Sequence, residues 1–167
     1  MKKDSEKELL NVSLIIANID DATELHEMQV KTFAPLLDKY QDYDTNPANE
    51  PIDRTINRIK QPFTDYYIIK YKEQSIGGVR IIKKGNRAYR LGPIFILPKY
   101  QGIGIAQVVF KLIEKKYDDA VIWDLDTILE EKGNCYLYEK IGYKKTGVTD
   151  KINENMTIIY YEKHIEP

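Results

Sequence analysis

The stretch Leu91-Gly-Pro-Ile-Phe-Ile-Leu-Pro-Lys-Tyr-Gln-Gly-Ile-Gly-Ile-Ala106 constrains this chain more than any other. An apolar strand has to stop at Pro98, which has no N–H for a sheet ladder. Glycines 102 and 104 then open a helix with Ala106, Val109, Phe110 and Ile113 on one face and lysines 111, 115 and 116 largely on the other. The first turn of a helix leaves backbone N–H groups without partners at the positive end of the macrodipole. Glycines allow an anion to reach those donors, so the layout suits a pyrophosphate. Strand, glycine turn and helix are also ordinary punctuation, and Gly-x-Gly alone leaves both readings open. No Gly-Lys-Ser/Thr follows, which excludes a Walker loop, and the third glycine of a dinucleotide fingerprint is missing.

The 167 residues fit one domain, residues 1–167, and 43% apolar with 31% charged residues is the balance of a soluble globular protein. A net charge of −1 gives no general attraction to nucleic acid or to an anionic membrane. One cysteine, Cys135, excludes an intramolecular disulfide framework and fits a reducing cytoplasm. There is no apolar run of membrane-spanning length, and Met1-Lys-Lys-Asp-Ser-Glu-Lys-Glu lacks a signal-peptide core, so a cytoplasmic protein is expected. Two isolated histidines and one cysteine show no metal-ligand spacing, so no metal is expected.

Along the chain, Val12 to Ala17 suits a strand, and Asp20 or Asp21 can cap the helix that follows. Pro35 suits the first turn of a second helix. Asp42 to Pro51 reads as a loop and Ile52 to Ile59 as a helix. Asp65 to Tyr71 and Ile76 to Ile82 form a hairpin around a loop of roughly four residues. Lys83 to Asn86 turns the chain into a strand over Arg87 to Leu97. After the helix from Ile105 come a strand at Ala120 to Leu125, a short helix at Cys135 to Ile141, and strands at Tyr143 to Val148 and Met156 to Glu162.

Gln101-Gly-Ile-Gly-Ile-Ala106 closely resembles motif A (Gln/Arg-x-x-Gly-x-Gly/Ala) of the GCN5-related N-acetyltransferases, the GNAT family. Leu137-Tyr-Glu-Lys-Ile-Gly-Tyr143 resembles that family's Leu-Tyr-Glu-Lys-x-Gly-Phe signature. Both occur in the family's order with a strand between them. The resemblance implies the α/β GNAT-type three-layer fold, with a central mixed, mostly antiparallel sheet flanked by helices. It also implies acetyl-CoA as co-substrate and direct acetyl transfer to an amine.

In that reading the backbone of Gly102, Ile103, Gly104, Ile105, Ala106 and Gln107 binds the pyrophosphate, and Gln101 orients the loop. The backbone of Ile94, Phe95 and Ile96 pairs with the pantetheine amides as a pseudo-strand. Tyr138 holds the signature's tyrosine position, where the hydroxyl contacts the cofactor and can protonate the departing thiolate. Tyr143 stands where the family has Phe and reads as core.

The strand before motif A carries Arg87 and Arg90 but no carboxylate, so the family's usual glutamate base is missing. Asp126 is the candidate instead. Its separation of 12 residues from Tyr138 resembles the Glu-to-Tyr spacing of the ribosomal-protein-acetylating branch. Asp124 shares its strand face and is a rival. Two carboxylates so close can push one pKa towards neutrality, and loss of the proton to solvent through water is the other route. The family's cofactor-contacting asparagine is replaced by Glu131, with Asn134 nearby as a substitute or as a helix cap.

The acceptor is expected over the first helices and the loop holding Tyr40, Asp42, Tyr43, Asp44, Asn46, Asn49 and Glu50. Its acidity suits a cationic amine such as a polyamine, an aminoglycoside or a lysine-like group, or else it is a solvated loop. A small-molecule amine and a peptide amine both fit, and the family's frequent dimers make a homodimer one expected assembly. The alternatives are a non-catalytic acyl-CoA-binding or sensor module, and a plain interaction domain that leaves the glycine motif without purpose.

Overall fold

β-Rich runs separated by tight turns build a seven-stranded sheet, and the computed structural model describes it over residues 11–166. The strands are β1 (Val12–Ile16), β2 (Thr64–Tyr71), β3 (Gln74–Gly85), β4 (Ala88–Ile96), β5 (Ile122–Ile128), β6 (Lys144–Asn153) and β7 (Met156–His164). The helices are α1 (Ala22–Tyr40), α2 (Ile52–Lys60), α3 (Ile105–Lys116) and α4 (Lys132–Lys140). The sheet order is β1-β2-β3-β4-β5-β7-β6, antiparallel throughout except where β4 meets β5. The mixed, mostly antiparallel three-layer arrangement expected from the sequence is the one observed.

Alternation along β2 divides the core. Tyr67, Ile69 and Tyr71 face α3 and α4, packing with Val109, Phe110 and Ile113 of α3 and with Trp123, Leu125 and Tyr161 from the far strands. Tyr66 and Ile68 point the other way, against Leu25 and Met28 of α1 and Phe95 of β4. The two helical layers are thus set by the period of two in one strand.

Local details depart from the sequence reading in instructive places. The β2–β3 connection is only Lys72-Glu73, with φ of 49° and 66°, and β3–β4 turns on Asn86-Arg87, with φ of 54° and 61°. Two left-handed residues match the strand twist, so the strands run further into the loops than composition suggests. Pro35 does not start a helix; it lies inside α1. Burial of Met28 before it and Tyr40 after it holds one continuous helix across the break in its hydrogen bonds. Neither Asp20 nor Asp21 caps α1 with its side chain. Asn18 accepts from the Asp20 N–H at 2.9 Å, and Asp21 accepts from the Asn18 N–H at 2.9 Å, closing a capping box on the short turn ahead of α1.

What positions the site is the β4/β5 junction. These parallel strands pair only from Ala88 to Arg90 against Ile122 to Asp124, and beyond that register they diverge. Leu91 to Ile96 therefore keeps one edge on β3 and leaves the other unpaired. Gly77 and Gly78 on β3 let β4 come close: a Cβ on Gly77 would lie 2.1 Å from the Phe95 carbonyl oxygen. Between the Val79↔Ile94 and Ile81↔Leu91 pairs, Arg80 alone opposes Gly92 and Pro93, a bulge that bends β4 where the strands part.

Candidate active site

Two cavities open from the gap between β4 and β5. One, of about 700 Å³, runs along the outer edge of β4 to the head of α3 and is lined by Ile94, Ile96, Gln101, Gly102, Gly104 and Gln107 among others. The second, of about 460 Å³, lies on the side of the α1–α2 loop and is lined by Glu50, Arg58, Arg80, Arg90 and Asp126 among others. Phe33, Leu36, Ile94, Asn134 and Tyr138 line both. The cavities meet there.

The first cavity has the features of an anion cradle. Gly104 is the N-cap of α3 with φ 93°, and Gly102 has φ 77°. A Cβ on Gly102 would meet nothing within 4 Å, because it would project into open space beside the loop. The first backbone N–H groups of α3 have no carbonyl one turn behind them; Val108 reaches back to the Gly104 carbonyl only at 3.4 Å. Gln101 donates from Nε2 to the Ile96 carbonyl at 2.8 Å, tying the glycine loop to the end of β4. Ile105 and Phe95 are buried in the core while their backbones follow the cavity. Ile103 is 51% exposed and is not among the residues that line it. Lys99 is exposed beside the Tyr100 ring. A pyrophosphate with an amide-bearing arm fits these residues: donors at one end, an unpaired strand edge along the side.

Tyr138 stands at the junction, 8% exposed, within an aromatic cluster of Phe110, Tyr143 and Tyr161 at centroid distances of 5.8, 6.2 and 6.1 Å. Its hydroxyl makes no hydrogen bond to another described residue, so it is available to a ligand. Burial, and secondarily the Asp126 charge, push its pKa well above the ordinary phenol value. It is a protonated donor at neutral pH. Tyr143, the neighbour in the signature, is 2% exposed core, and Tyr136 is 69% exposed.

Asp126 and Asp124 point to the same side of β5, as strand alternation requires, and a single arginine lies between them. Arg90 donates from Nη1 to Asp124 at 2.6 Å and from Nη2 to Asp126. Burial alone would lower the guanidinium pKa, but the hydrogen bond to Asp124 and the charges of both aspartates raise it overall. The two carboxylates are therefore not bare like charges pressing on each other, because they share a cation. Asp124 is also held by Lys84 at 2.6 Å and does not line the second cavity, whereas Asp126 does.

Glu131, in the family's asparagine position, is the N-cap of α4, and its carboxylate accepts from Lys39 at 2.7 Å and from the Tyr40 hydroxyl. It joins α1 to α4 beside the first cavity. Asn134 lies in the first turn of α4, not at its cap, and its side-chain amide has no partner among the described residues. Cys135 is buried, with its thiol 3.8 and 3.7 Å from the Ile128 and Leu129 carbonyls.

The α1–α2 loop is not solvated throughout: Asp44 is exposed with no partner among the described residues, but Asp42 and Glu50 are tied down. Asp42 is 4% exposed, and its carboxylate accepts from the Thr45 N–H at 3.1 Å and from the Thr45 hydroxyl. Asn46 is also 4% exposed and accepts from the Ala48 N–H at 2.7 Å. Glu50 receives both guanidinium arms of Arg58, at 2.8 and 3.1 Å. The loop's buried acids are used in folding it. Arg58 and Arg80, which also line this cavity, were not singled out by the sequence reading; nothing local marks a strand or helix arginine as buried.

Among the described residues no group of His, Cys, Asp and Glu is arranged to hold a metal ion, and no helix is long and apolar enough to cross a membrane. A family model described as an acetyltransferase (GNAT) domain matches residues 39–165. A curated relative, the uncharacterized protein YrkN of Bacillus subtilis, is 26% identical over 160 residues, covering 93% of this chain and 80% of that protein. Among solved structures, the PaiA N-acetyltransferase of Thermoplasma acidophilum in complex with coenzyme A superposes with a TM-score of 0.73 at 13% identity, covering 92% of this chain and 99% of that one. An acetyltransferase of Salmonella typhimurium that modifies the N-terminal serine of ribosomal protein L7/L12 superposes with a TM-score of 0.72 at 14% identity, covering 93% and 96%.

Proposed function

Because this chain belongs to the GNAT acetyltransferase family, we propose that it moves an acetyl group from acetyl-CoA to a primary amine by direct transfer. The observation that carries the reading is the meeting of the two cavities at Tyr138: a glycine-lined cradle ends where an acceptor-sized cavity begins. A relative of the same fold acts on the amine of a protein N-terminus, in keeping with an amine acceptor here.

Bound acetyl-CoA supplies an activated acyl group as a thioester. The N–H groups from Gly102 to Gln107 take the pyrophosphate oxygens, helped by the positive end of α3. The free edge of Ile94 to Ile96 pairs with the amides of the arm and aims its sulfur end at the junction. Asn134 is positioned to hydrogen-bond the same arm. On the acceptor side, Asp126 accepts the proton that the amine must lose before it can attack, directly or through water. The transfer forms an N–C bond and breaks the C–S bond, and the attacking nitrogen sheds its second proton to water as the amide forms, which in turn restores the proton that Tyr138 gives up. Tyr138 gives its phenolic proton to the departing sulfur.

Thiol release from acetyl-CoA, followed across a panel of amines, tests the proposal. Release that depends on the amine, with the acetylated amine seen by mass, supports it. Binding with no release on any amine would leave only an acyl-CoA-binding module.

A further inference from the structure

The acceptor-side cavity contains three arginines, and two have obvious partners. Arg58 is paired bidentately with Glu50, and Arg90 lies between Asp124 and Asp126. Arg80 has none. Only 9% exposed, it donates from Nη1 to the Gly92 carbonyl at 3.1 Å and from Nη2 to the Gln61 side-chain carbonyl at 2.6 Å, and both acceptors are neutral. Its Nε is buried without a hydrogen-bond partner. Among the described residues no carboxylate lies within ion-pair distance of it.

A buried cation without a counter-charge is costly, and proteins rarely keep one that nothing uses. The surroundings make this one worse. Burial, reinforced by the nearby charge of Arg58 and then of Arg90, lowers its pKa to about 10, which still leaves it charged at neutral pH. Glu50 offsets part of the repulsion, but its carboxylate is already held by Arg58 and by Gln29 Nε2 at 3.1 Å. The Tyr66 hydroxyl, cross-strand from Arg80, is also buried without a partner. Arg80 is fixed rather than mobile, because it is clamped to the bulge at Gly92 that also opens the junction. Two residues further along β4, Ile94 lines both cavities. An anion seated on Arg80 is therefore a short reach from the place where an amine would meet the thioester.

We propose that the acceptor carries an anionic group, a carboxylate or a phosphate, in addition to its amine, and that Arg80 pairs with it in the acceptor-side cavity. This rests on the acetyl-transfer reading for the amine, but the anion site itself is independent of turnover. It stands beside the expectation of a polyamine-like acceptor drawn from the loop's acids, of which Asp42 and Glu50 are already bound by the protein's own groups. The amine end then lies towards Asp126 while Arg80 selects the other end, and a planar guanidinium suits either oxyanion.

Arginine Nε–H NMR of the protein saturated with coenzyme A, titrated separately with acetate and inorganic phosphate, tests the site. Prior loading keeps phosphate from the glycine cradle. The Arg80 resonance, assigned by its absence in R80K, should move saturably with at least one anion, and the stronger of the two identifies the group. No movement with either up to about 100 mM overturns the proposal. Matched amines then test its use: amino acids against their amides, and phosphoethanolamine against ethanolamine. The anionic member should be preferred by about a hundredfold or more in kcat/KM, since a site built around a buried charge rejects the analogue that leaves it unpaired. R80K and R80Q should lose that preference while coenzyme A affinity is retained. Preference for neutral or polycationic amines overturns it. A saturable shift without turnover on any amine would instead defeat the acetyl-transfer reading and leave the anion site standing.

Discussion

Replacing Gly102 with alanine separates the backbone cost of the glycine loop from its use as an anion cradle. Gly102 has φ 77°, and an added Cβ would touch nothing within 4 Å. The folded protein thus loses only the left-handed preference, about 1–2 kcal/mol for an L-residue. In a chain of this size each kcal/mol lowers Tm by roughly 2–4 °C, so the expected drop is about 2–8 °C. Gly85 provides a matched control, because its φ is 88°, its Cβ would also meet nothing within 4 Å, and it lines neither cavity. Calorimetric unfolding should give G102A and G85A similar losses. Titration with coenzyme A should then part them. A methyl on that loop displaces the phosphate from one charge-assisted N–H bond worth about 1.5–3 kcal/mol, which weakens binding roughly tenfold to a hundred-and-fiftyfold. G85A should bind as the wild type does. Equal coenzyme A affinity in the two variants would refute the cradle, whatever their melting temperatures.

The Tyr138 hydroxyl has no partner among the described residues, so Y138F should keep its fold and alter coenzyme A affinity far less than it slows acetyl transfer, by about 10²–10⁴; an unchanged kcat would assign the proton to another group or to water. D126N should slow transfer and change the shape of the pH–rate profile, and an unaltered profile excludes Asp126 as the base. Gly78→Val should lower stability by about 1–3 kcal/mol in denaturant titration, because a Cβ there lies 2.6 Å from the Phe95 ring and 2.8 Å from Leu25; no loss would mean that β3 and α1 yield more easily than their packing indicates. Burial would raise the Glu131 pKa, but hydrogen bonds from Lys39 and Tyr40 lower it overall. Its contribution to stability is therefore present above the ordinary glutamate value and lost as pH falls through the lower folded value. E131Q should flatten the acid side of the stability–pH curve, and an unchanged slope would remove that role.

Sequence and structure agree best where one local pattern decides the outcome. The two glycines and Pro98 specify the turn into α3 with little help from the rest of the chain, whereas the run Tyr66 to Ile69 is apolar throughout and only the folded sheet divides it between the two helical layers. Pro35 shows the opposite: its local preference to begin a helix is outweighed by burial on either side, which depends on a sheet still unformed at that point in the chain. Gly77-Gly78 falls inside the strand expected over Ile76 to Ile82, and the reason for two glycines there depends on Phe95, far off in sequence. The site divides in the same way. Tyr138 and the cradle follow from motif position. Arg90 between the aspartates, Arg58 on Glu50 and the unpaired Arg80 follow from three strands and a loop meeting, and no spacing in the chain announces them.

A crystal structure with bound coenzyme A is the measurement that would decide most. The geometry requires the pyrophosphate on the N–H groups of Gly102 to Gln107, the arm along Ile94 to Ile96, and the sulfur within about 3.5 Å of the Tyr138 hydroxyl at the junction of the cavities. A sulfur lying away from Tyr138, or a coenzyme bound outside the gap between β4 and β5, would contradict it.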